Sequence, residues 1–132
     1  LSKYAKKIYG FEIVADAIKD AKKNASLNKI KNTNFFEGNL DSLFRNDETL
    51  KRIPNPDLIV VDPPRAGLHK NTIEDIISKL PQKIIYVSCN PATQARDIEI
   101  LCRDNYNLVN LRPVDMFPHT PHVENVSTLI RR

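Results

Sequence analysis

Apolar residues occur along the chain in two patterns, short continuous runs and longer stretches in which they recur every three or four positions. The first pattern predicts buried strands and the second predicts amphipathic helices. The run Leu58-Ile59-Val60-Val61 is typical of a strand covered on both faces. The predicted strands are Lys7–Val14, Thr33–Glu37, Asp57–Asp62, Lys83–Cys89, Asn107–Val114 and Val123–Arg131.

Helices are predicted between most of these strands. Ala15–Leu27 carries Ala and Ile at helical spacing opposite Lys, Asp and Asn, and Asn71–Leu80 forms the next helix. Asn90 followed by Pro91 predicts an N-cap and a proline at the first helical position, so a third helix should run from there to about Arg103. The stretch that ends at Arg52 is charged and only partly helical in pattern.

This order of elements predicts an α/β fold with a doubly wound, mostly parallel sheet. The last two strands are joined by the loop Asp115–His122 without a helix, so they should pair antiparallel. With 132 residues, the chain has the size of one domain with one core, and we expect residues 1–132 to form a single domain. Ligands of such sheets bind outside the carboxyl ends of the strands, which is where candidate chemistry belongs.

The first two strand exits carry candidate cofactor contacts. Glu12 ends the first strand, and a carboxylate there can accept both hydroxyls of a ribose. Asn39 follows Gly38 at the second exit, where a short polar side chain can bond an adenine edge or a ribose. A solvated glutamate and an ordinary turn explain the same residues, so both interpretations stay open.

The third exit is the segment Asp62-Pro63-Pro64-Arg65-Ala66-Gly67-Leu68. Two prolines after a strand-end aspartate remove two backbone donors and fix φ twice, which predicts a stiff loop. Asp62 can accept a hydrogen bond from a planar base, and Arg65 can meet a phosphate or a carbonyl. The alternative is a rigid exit turn with a surface arginine.

Cys89 lies at the fourth exit, between a strand and the amino terminus of a helix. A helix amino terminus favours negative charge, and the thiolate is the nucleophilic form of cysteine. Cys89 is therefore placed to react. A lone cysteine is more often an inert small apolar residue, which is how we interpret Cys102 inside its helix.

The last loop contains His119 and His122 close to Asp115 and Glu124. A metal site there is not expected, because both cysteines are remote and the prolines prevent a ligand-bearing helix. Glu124 at the start of the last strand is instead a candidate general base.

Composition and charge limit the classes of function. A net charge of +4 and a pI of about 9.1 favour a polyanionic partner without proving one. No apolar run approaches the roughly 18 residues of a membrane span, so no membrane association is expected. Two cysteines without a disulfide framework or metal spacing fit a reducing compartment, and we expect a cytoplasmic protein. No obligate protein partner is evident.

Three segments together resemble a known family. D-P-P-R-A-G-L from Asp62, V-S-C-N-P-A-T from Val87 and D-M-F-P-H-T-P-H-V-E from Asp115 are similar, in this order, to the 5-methyluridine methyltransferases of transfer and ribosomal RNA. The resemblance extends over essentially the whole chain. It implies a Rossmann-like class I fold that binds S-adenosylmethionine, with RNA as the partner.

The resemblance also implies roles for individual residues. Cys89 corresponds to the nucleophile, which adds to carbon 6 of uracil, and Glu124 to the base, which later removes the carbon 5 proton. Asp62 corresponds to an acidic residue between uracil and cofactor. Arg65 corresponds to a residue near the RNA, and Glu12 and Asn39 correspond to cofactor contacts.

The chain departs from the family in what it lacks. Members carry a first strand and a Gly-rich loop that cradles the cofactor, and we expect both to precede Leu1, so that this stretch alone is inactive. An iron–sulfur cluster, which some members hold through upstream cysteines, would likewise belong to the missing region.

Two rival functions remain. A base-amino methyltransferase also uses an acidic residue or Asn before Pro-Pro, but it does not require Cys89. An RNA-binding module with a degenerate methyltransferase fold would differ in failing to bind the cofactor.

Overall fold

The computed structural model describes residues 1–38 and 53–132. Asn39 and the predicted charged stretch that ends at Arg52 lie outside the described residues. In chain order the elements are β1 (Ile8–Glu12), α1 (Ala15–Leu27), β2 (Thr33–Glu37), β3 (Leu58–Val61), α2 (Lys70–Lys79), β4 (Lys83–Ser88), α3 (Pro91–Cys102), β5 (Tyr106–Val114) and β6 (Glu124–Arg131).

The predicted strands and helices within the described residues are all present, with ends that agree to within two residues. The third helix begins as expected, because the Asn90 side chain accepts from the Ala92 amide at 3.2 Å and Pro91 follows it. At the start of α2 the His69 ring caps the helix by accepting from the Asn71 amide at 3.2 Å. That helix ends at Lys79, and the capping residue Leu80 adopts a left-handed conformation with φ of 45°.

The chain divides into two compact units, Leu1–Arg52 and Ile53–Arg132, which we call unit 1 and unit 2. The expectation of a single domain stays a prediction. In unit 1, β1 pairs in parallel with β2. In unit 2 the strand order is β3-β4-β6-β5, with β3 parallel to β4. The α/β class and the predicted antiparallel pairing of β5 with β6 are confirmed, and β6 is also antiparallel to β4.

Aromatic side chains pack along the two strands of unit 1. The rings of Phe11 and Phe36 stack with their centroids 5.5 Å apart. A Cβ at Gly10 would lie 2.8 Å from the Phe35 ring, so the glycine leaves room for this ring. From α1, Ile18 is buried. Cross-strand aromatic pairs of this kind stabilise a sheet.

The core of unit 2 lies on one face of its sheet, beneath α2 and α3. It consists of Val61, Leu68, Ile73, Ile76, Ile84, Tyr86, Ile98, Leu101, Tyr106 and Leu129. On β3, Val61 belongs to this face, whereas Leu58 and Val60 are 37% and 47% exposed. The prediction that β3 is covered on both faces stays a prediction. Within unit 2, both helices supply core side chains to the same face.

Within the described residues, no helix has the length and apolar content needed to cross a membrane.

Candidate active site

Three of the predicted site residues lie at one end of the sheet of unit 2. Val61, the last residue of β3, pairs with Tyr86, and Ser88, the last residue of β4, pairs with Asn125. Asp62 and Cys89 follow directly after their strands. Because β6 is antiparallel to β4, its first residue, Glu124, lies at the same end.

The strand register brings Cys89 and Glu124 to neighbouring positions. Ser88 and Asn125 form the last pair of this antiparallel ladder, so Cys89, which follows Ser88, and Glu124, which precedes Asn125, both come directly next to that pair. Both side chains are half-buried. A thiol and a carboxylate at adjacent strand ends suit chemistry on one small planar group.

Cys89 occupies the predicted place between β4 and the amino terminus of α3. Its thiol is free, and the residues on either side are fixed by hydrogen bonds. The Ser88 hydroxyl accepts from the Asn90 amide at 3.0 Å and donates to the Asn90 carbonyl at 3.1 Å. By contrast, Cys102 lies in the last turn of α3, where burial raises the pKa of its thiol and disfavours the thiolate.

The Asp62–Leu68 loop turns sharply at Gly67. The Gly67 amide donates to the Pro64 carbonyl at 2.9 Å, and Gly67 has a φ of +83°. A Cβ there would lie 2.6 Å from Asp97 Oδ2. Both the left-handed conformation and the close packing therefore require glycine at this position.

One side of α3 holds this loop in place. Asn90 Nδ2 and Thr93 Oγ1 donate to the Arg65 carbonyl at 3.0 and 3.1 Å. Arg96 Nη2 donates to the Ala66 carbonyl at 3.0 Å. These three side chains are spaced three residues apart and so share one side of the helix. The helix that begins beside Cys89 thus also positions the loop that carries Asp62 and Arg65.

Asp97 of α3 is the buried centre of this arrangement. Its Oδ2 accepts from the Leu68 amide and from the Tyr86 hydroxyl, each at 2.7 Å. Its Oδ1 accepts from Arg96 at 2.7 and 2.9 Å. These donors offset the cost of burying a charge. Burial and the hydrogen bond to Asp97 raise the pKa of Tyr86, so its hydroxyl stays a donor at neutral pH.

Sequence reasoning missed Asp97, although a signal was present. The buried residues of α3 are Gln94, Asp97, Ile98 and Leu101, which is the spacing of a core-facing stripe. Two polar residues in such a stripe indicate a buried hydrogen-bond network rather than a plain core.

Arg65 joins the loop after β3 to the loop before β6. Its Nη2 lies 2.7 Å from Nδ1 of His122. Since a guanidinium only donates, His122 accepts through Nδ1 and carries its proton on Nε2. The loop before β6 is also braced internally, because Thr120 Oγ1 donates to the Phe117 carbonyl at 2.8 Å. Three segments singled out in the sequence therefore meet in unit 2.

Glu12 belongs to unit 1, where it is exposed at the end of β1. One of its carboxylate oxygens accepts from the Val14 amide at 3.0 Å. Asn39, the other predicted cofactor contact, lies outside the described residues. Across residues 1–38 and 53–132, no group of three or more His, Cys, Asp or Glu side chains is arranged to hold a metal ion.

Comparison with known proteins identifies a family. The sequence pattern of the tRNA (Uracil-5-)-methyltransferase family matches residues 1–132. A protein of Porphyromonas gingivalis named as an uncharacterized RNA methyltransferase is 49% identical over 128 residues, which are 96% of this chain and 27% of that protein. One from Enterococcus faecalis is 43% identical over 99% of this chain and 28% of its own length. The chain thus spans about a quarter of the length of these relatives.

Solved structures agree with this result. A tRNA (uracil-54, C5)-methyltransferase of Pyrococcus abyssi, crystallised with S-adenosyl-L-homocysteine, is 35% identical with a TM-score of 0.80, over 98% of this chain and 30% of that one. An rRNA methylase from Streptococcus thermophilus has a TM-score of 0.70 at 16% identity, over 99% of this chain and 76% of that one, and supports the fold alone.

Proposed function

The chain belongs to the tRNA (uracil-5-)-methyltransferase family, and from this premise we propose that the protein methylates carbon 5 of a uridine in transfer or ribosomal RNA. The observation that carries the proposal is the placement of Asp62, Cys89 and Glu124 on three adjacent strands at one end of a sheet. A base-amino methyltransferase has no use for the cysteine and the glutamate at these neighbouring positions.

Cys89 starts the reaction by covalent addition. Carbon 5 of uracil is a weak nucleophile, so the Cys89 thiolate adds to carbon 6 and the electrons of the double bond move to the carbonyl oxygen as an enolate. When bound, S-adenosylmethionine supplies an electrophilic methyl group to the carbon 5 that this addition has activated. The target base must leave its stack to reach the pocket.

Glu124 ends the reaction by elimination. Its carboxylate removes the proton from carbon 5, the double bond re-forms, and the carbon 6–sulfur bond breaks to release Cys89 as a thiolate. In this proposal Asp62 accepts a hydrogen bond from the base. Arg65 faces the RNA on the rigid loop, and its contact with His122 fixes the direction of its side chain.

Cofactor binding is assigned to Glu12, Asn39 and Asp62. The exposed carboxylate of Glu12 at a strand end suits the two hydroxyls of a ribose, and one oxygen already braces the turn after β1. The family resemblance assigns the same role to Asn39 and Asp62.

The test uses the full-length protein with total RNA from cells that lack the gene and radiolabelled S-adenosylmethionine. Cys89→Ala should bind RNA without transferring methyl groups, because no carbon 6 adduct forms. Glu124→Gln should methylate but fail to release, leaving a labelled RNA–protein species that survives a denaturing gel. A labelled adduct with Cys89→Ala, or wild-type turnover by Glu124→Gln, would contradict the assignment.

A further inference from the structure

Two buried amides lie beneath the proposed site, Gln94 of α3 and Asn125 of β6, which are 1% and 4% exposed. Gln94 Nε2 donates to the Tyr86 carbonyl at 2.9 Å and to the Asn125 carbonyl at 3.1 Å. Asn125 Nδ2 donates in return to Gln94 Oε1. One helix side chain therefore bonds to both of the strands that carry the nucleophile and the base.

These hydrogen bonds are important because they lie at the end of β6, next to Glu124. Asn125 directly follows Glu124, which is the first residue of β6 and comes after a long loop. Glu124 pairs with Val114 of β5, but pairing with β4 begins only at Asn125, so the backbone there has fewer bonds to hold it than in the middle of the sheet. Gln94 supplies an extra tie at this end through the Asn125 carbonyl and side chain.

The nucleophile has a separate support. Cys89 is flanked by the reciprocal hydrogen bonds between Ser88 and Asn90, which do not involve the Gln94 side chain. Loss of the Gln94 amide should therefore disturb Glu124 more than Cys89. The two residues act at different steps of the proposed reaction, so the disturbance would be selective.

Stability alone does not explain the amide pair. Asn125 Oδ1 is buried and has no protein hydrogen-bond partner among the described residues. An unpaired buried acceptor destabilises the fold, and an apolar pair of similar shape at this place would leave no such side-chain acceptor. Unlike apolar side chains, the two amides make directional hydrogen bonds, which fix the orientation of the groups that they bind.

We propose that Gln94 and Asn125 are positioning residues that align Glu124 with the proton on carbon 5 and thereby control release of the covalent intermediate. This inference rests on the proposed function. It concerns the last step of that reaction, and neither amide touches the reacting atoms.

The experiment measures how the reaction divides between adduct and product in full-length Gln94→Leu, with total RNA from cells lacking the gene and radiolabelled S-adenosylmethionine. Release should slow by about 10- to 100-fold, the size of effect that a misplacement of about 1 Å produces, while formation of the methylated adduct changes much less. The labelled RNA–protein band should therefore grow. A role in folding alone would lower adduct and product together.

Control variants separate the possible results. Gln82→Leu makes the same change at an exposed position and should behave as wild type. Gln94→Glu keeps an acceptor for Asn125 but loses both donors, so it should also accumulate adduct. If Gln94→Leu does not fold, Asn125→Ser removes only the side-chain bond and should show a smaller shift in the same direction.

Two outcomes count against different claims. In the first outcome, Glu124→Gln accumulates adduct, but the folded Gln94 and Asn125 variants give the wild-type ratio of adduct to product. This outcome overturns the positioning role. If Glu124→Gln yields no adduct, the proposed function itself fails, whatever the Gln94 variants do.

Discussion

The two ends of the core of unit 2 differ in chemistry. Among the buried side chains of β4, β5, β6 and α3, those toward the carboxyl end of β4 are polar and those toward its amino end are apolar. The polar end contains Ser88, Gln94, Asp97, Asn125, Ser127 and the Tyr86 hydroxyl, and the apolar end contains Ile84, Ile98, Leu101, Tyr106 and Leu129. All of these side chains belong to the same helix-covered face, so the change occurs within one layer.

The two ends of the core therefore have different tasks. Apolar contacts are not directional, and they stabilise the sheet and helices through the area they bury. Hydrogen bonds are directional, and those of Asp97 and Gln94 fix where a loop and a strand end lie. The polar end lies below the proposed site, where geometry matters most. Variants at the two ends should therefore differ in what they damage.

The largest loss of stability is expected for Asp97→Ala. It leaves the Leu68 amide and the Tyr86 hydroxyl without their acceptor, at about 1 to 3 kcal/mol for each buried donor, so the free energy of unfolding should fall by about 4 kcal/mol. Urea denaturation of the full-length protein measures this. Asp104→Ala, at an exposed position, is the control. A loss below about 1 kcal/mol would show that the network does not hold the loop.

A slightly smaller loss is expected for Leu101→Ala at the apolar end. Leu101 is fully buried, and removing its side chain should cost about 3 kcal/mol through lost burial and the cavity left behind. Below the unfolding transition, the ratio of adduct to product should stay that of wild type. Leu27→Ala changes an exposed leucine and serves as control. A changed ratio in Leu101→Ala would remove the distinction between the two ends.

The two buried tyrosines give a matched comparison. Tyr86 donates to the carboxylate of Asp97, whereas Tyr106 donates to the neutral Pro81 carbonyl at 3.0 Å. Hydrogen bonds to charged groups contribute more, so Tyr86→Phe should cost about 2 kcal/mol and Tyr106→Phe about 1 kcal/mol. Equal midpoints of the two variants in urea would contradict this order.

The smallest effect is expected from alkaline pH. Burial and Asp97 raise the pKa of Tyr86, and burial raises the pKa of Tyr106. A raised phenol pKa gives a stabilisation that is complete below the unfolded value of about 10 and is lost as the pH rises through the folded value. Stability should therefore decline above about pH 10, and Tyr86→Phe should decline less steeply. An unchanged slope in that variant would assign the decline to other groups.

Much of the local structure could be predicted from the sequence. Apolar runs and helical spacing indicated the strands and helices, and Asn90-Pro91 indicated where α3 begins. The strand exits indicated Asp62 and Cys89 as candidates, and the start of the last strand indicated Glu124. The polar stripe residues Gln94 and Asp97 were missed, because a helix pattern shows that a position is buried without showing which partners it meets.

What the sequence determined by itself was the order of elements, the places where strands end and the family to which the motifs point. Only the tertiary structure decided that β6 lies between β4 and β5, which brings Glu124 beside Cys89. The tertiary structure also decided that α3 holds the loop after β3 in place through the hydrogen bonds of Asp97. The physical reason is that strand and helix formation depends on neighbours within a few residues, whereas strand order and buried hydrogen bonds join residues that are far apart in the chain.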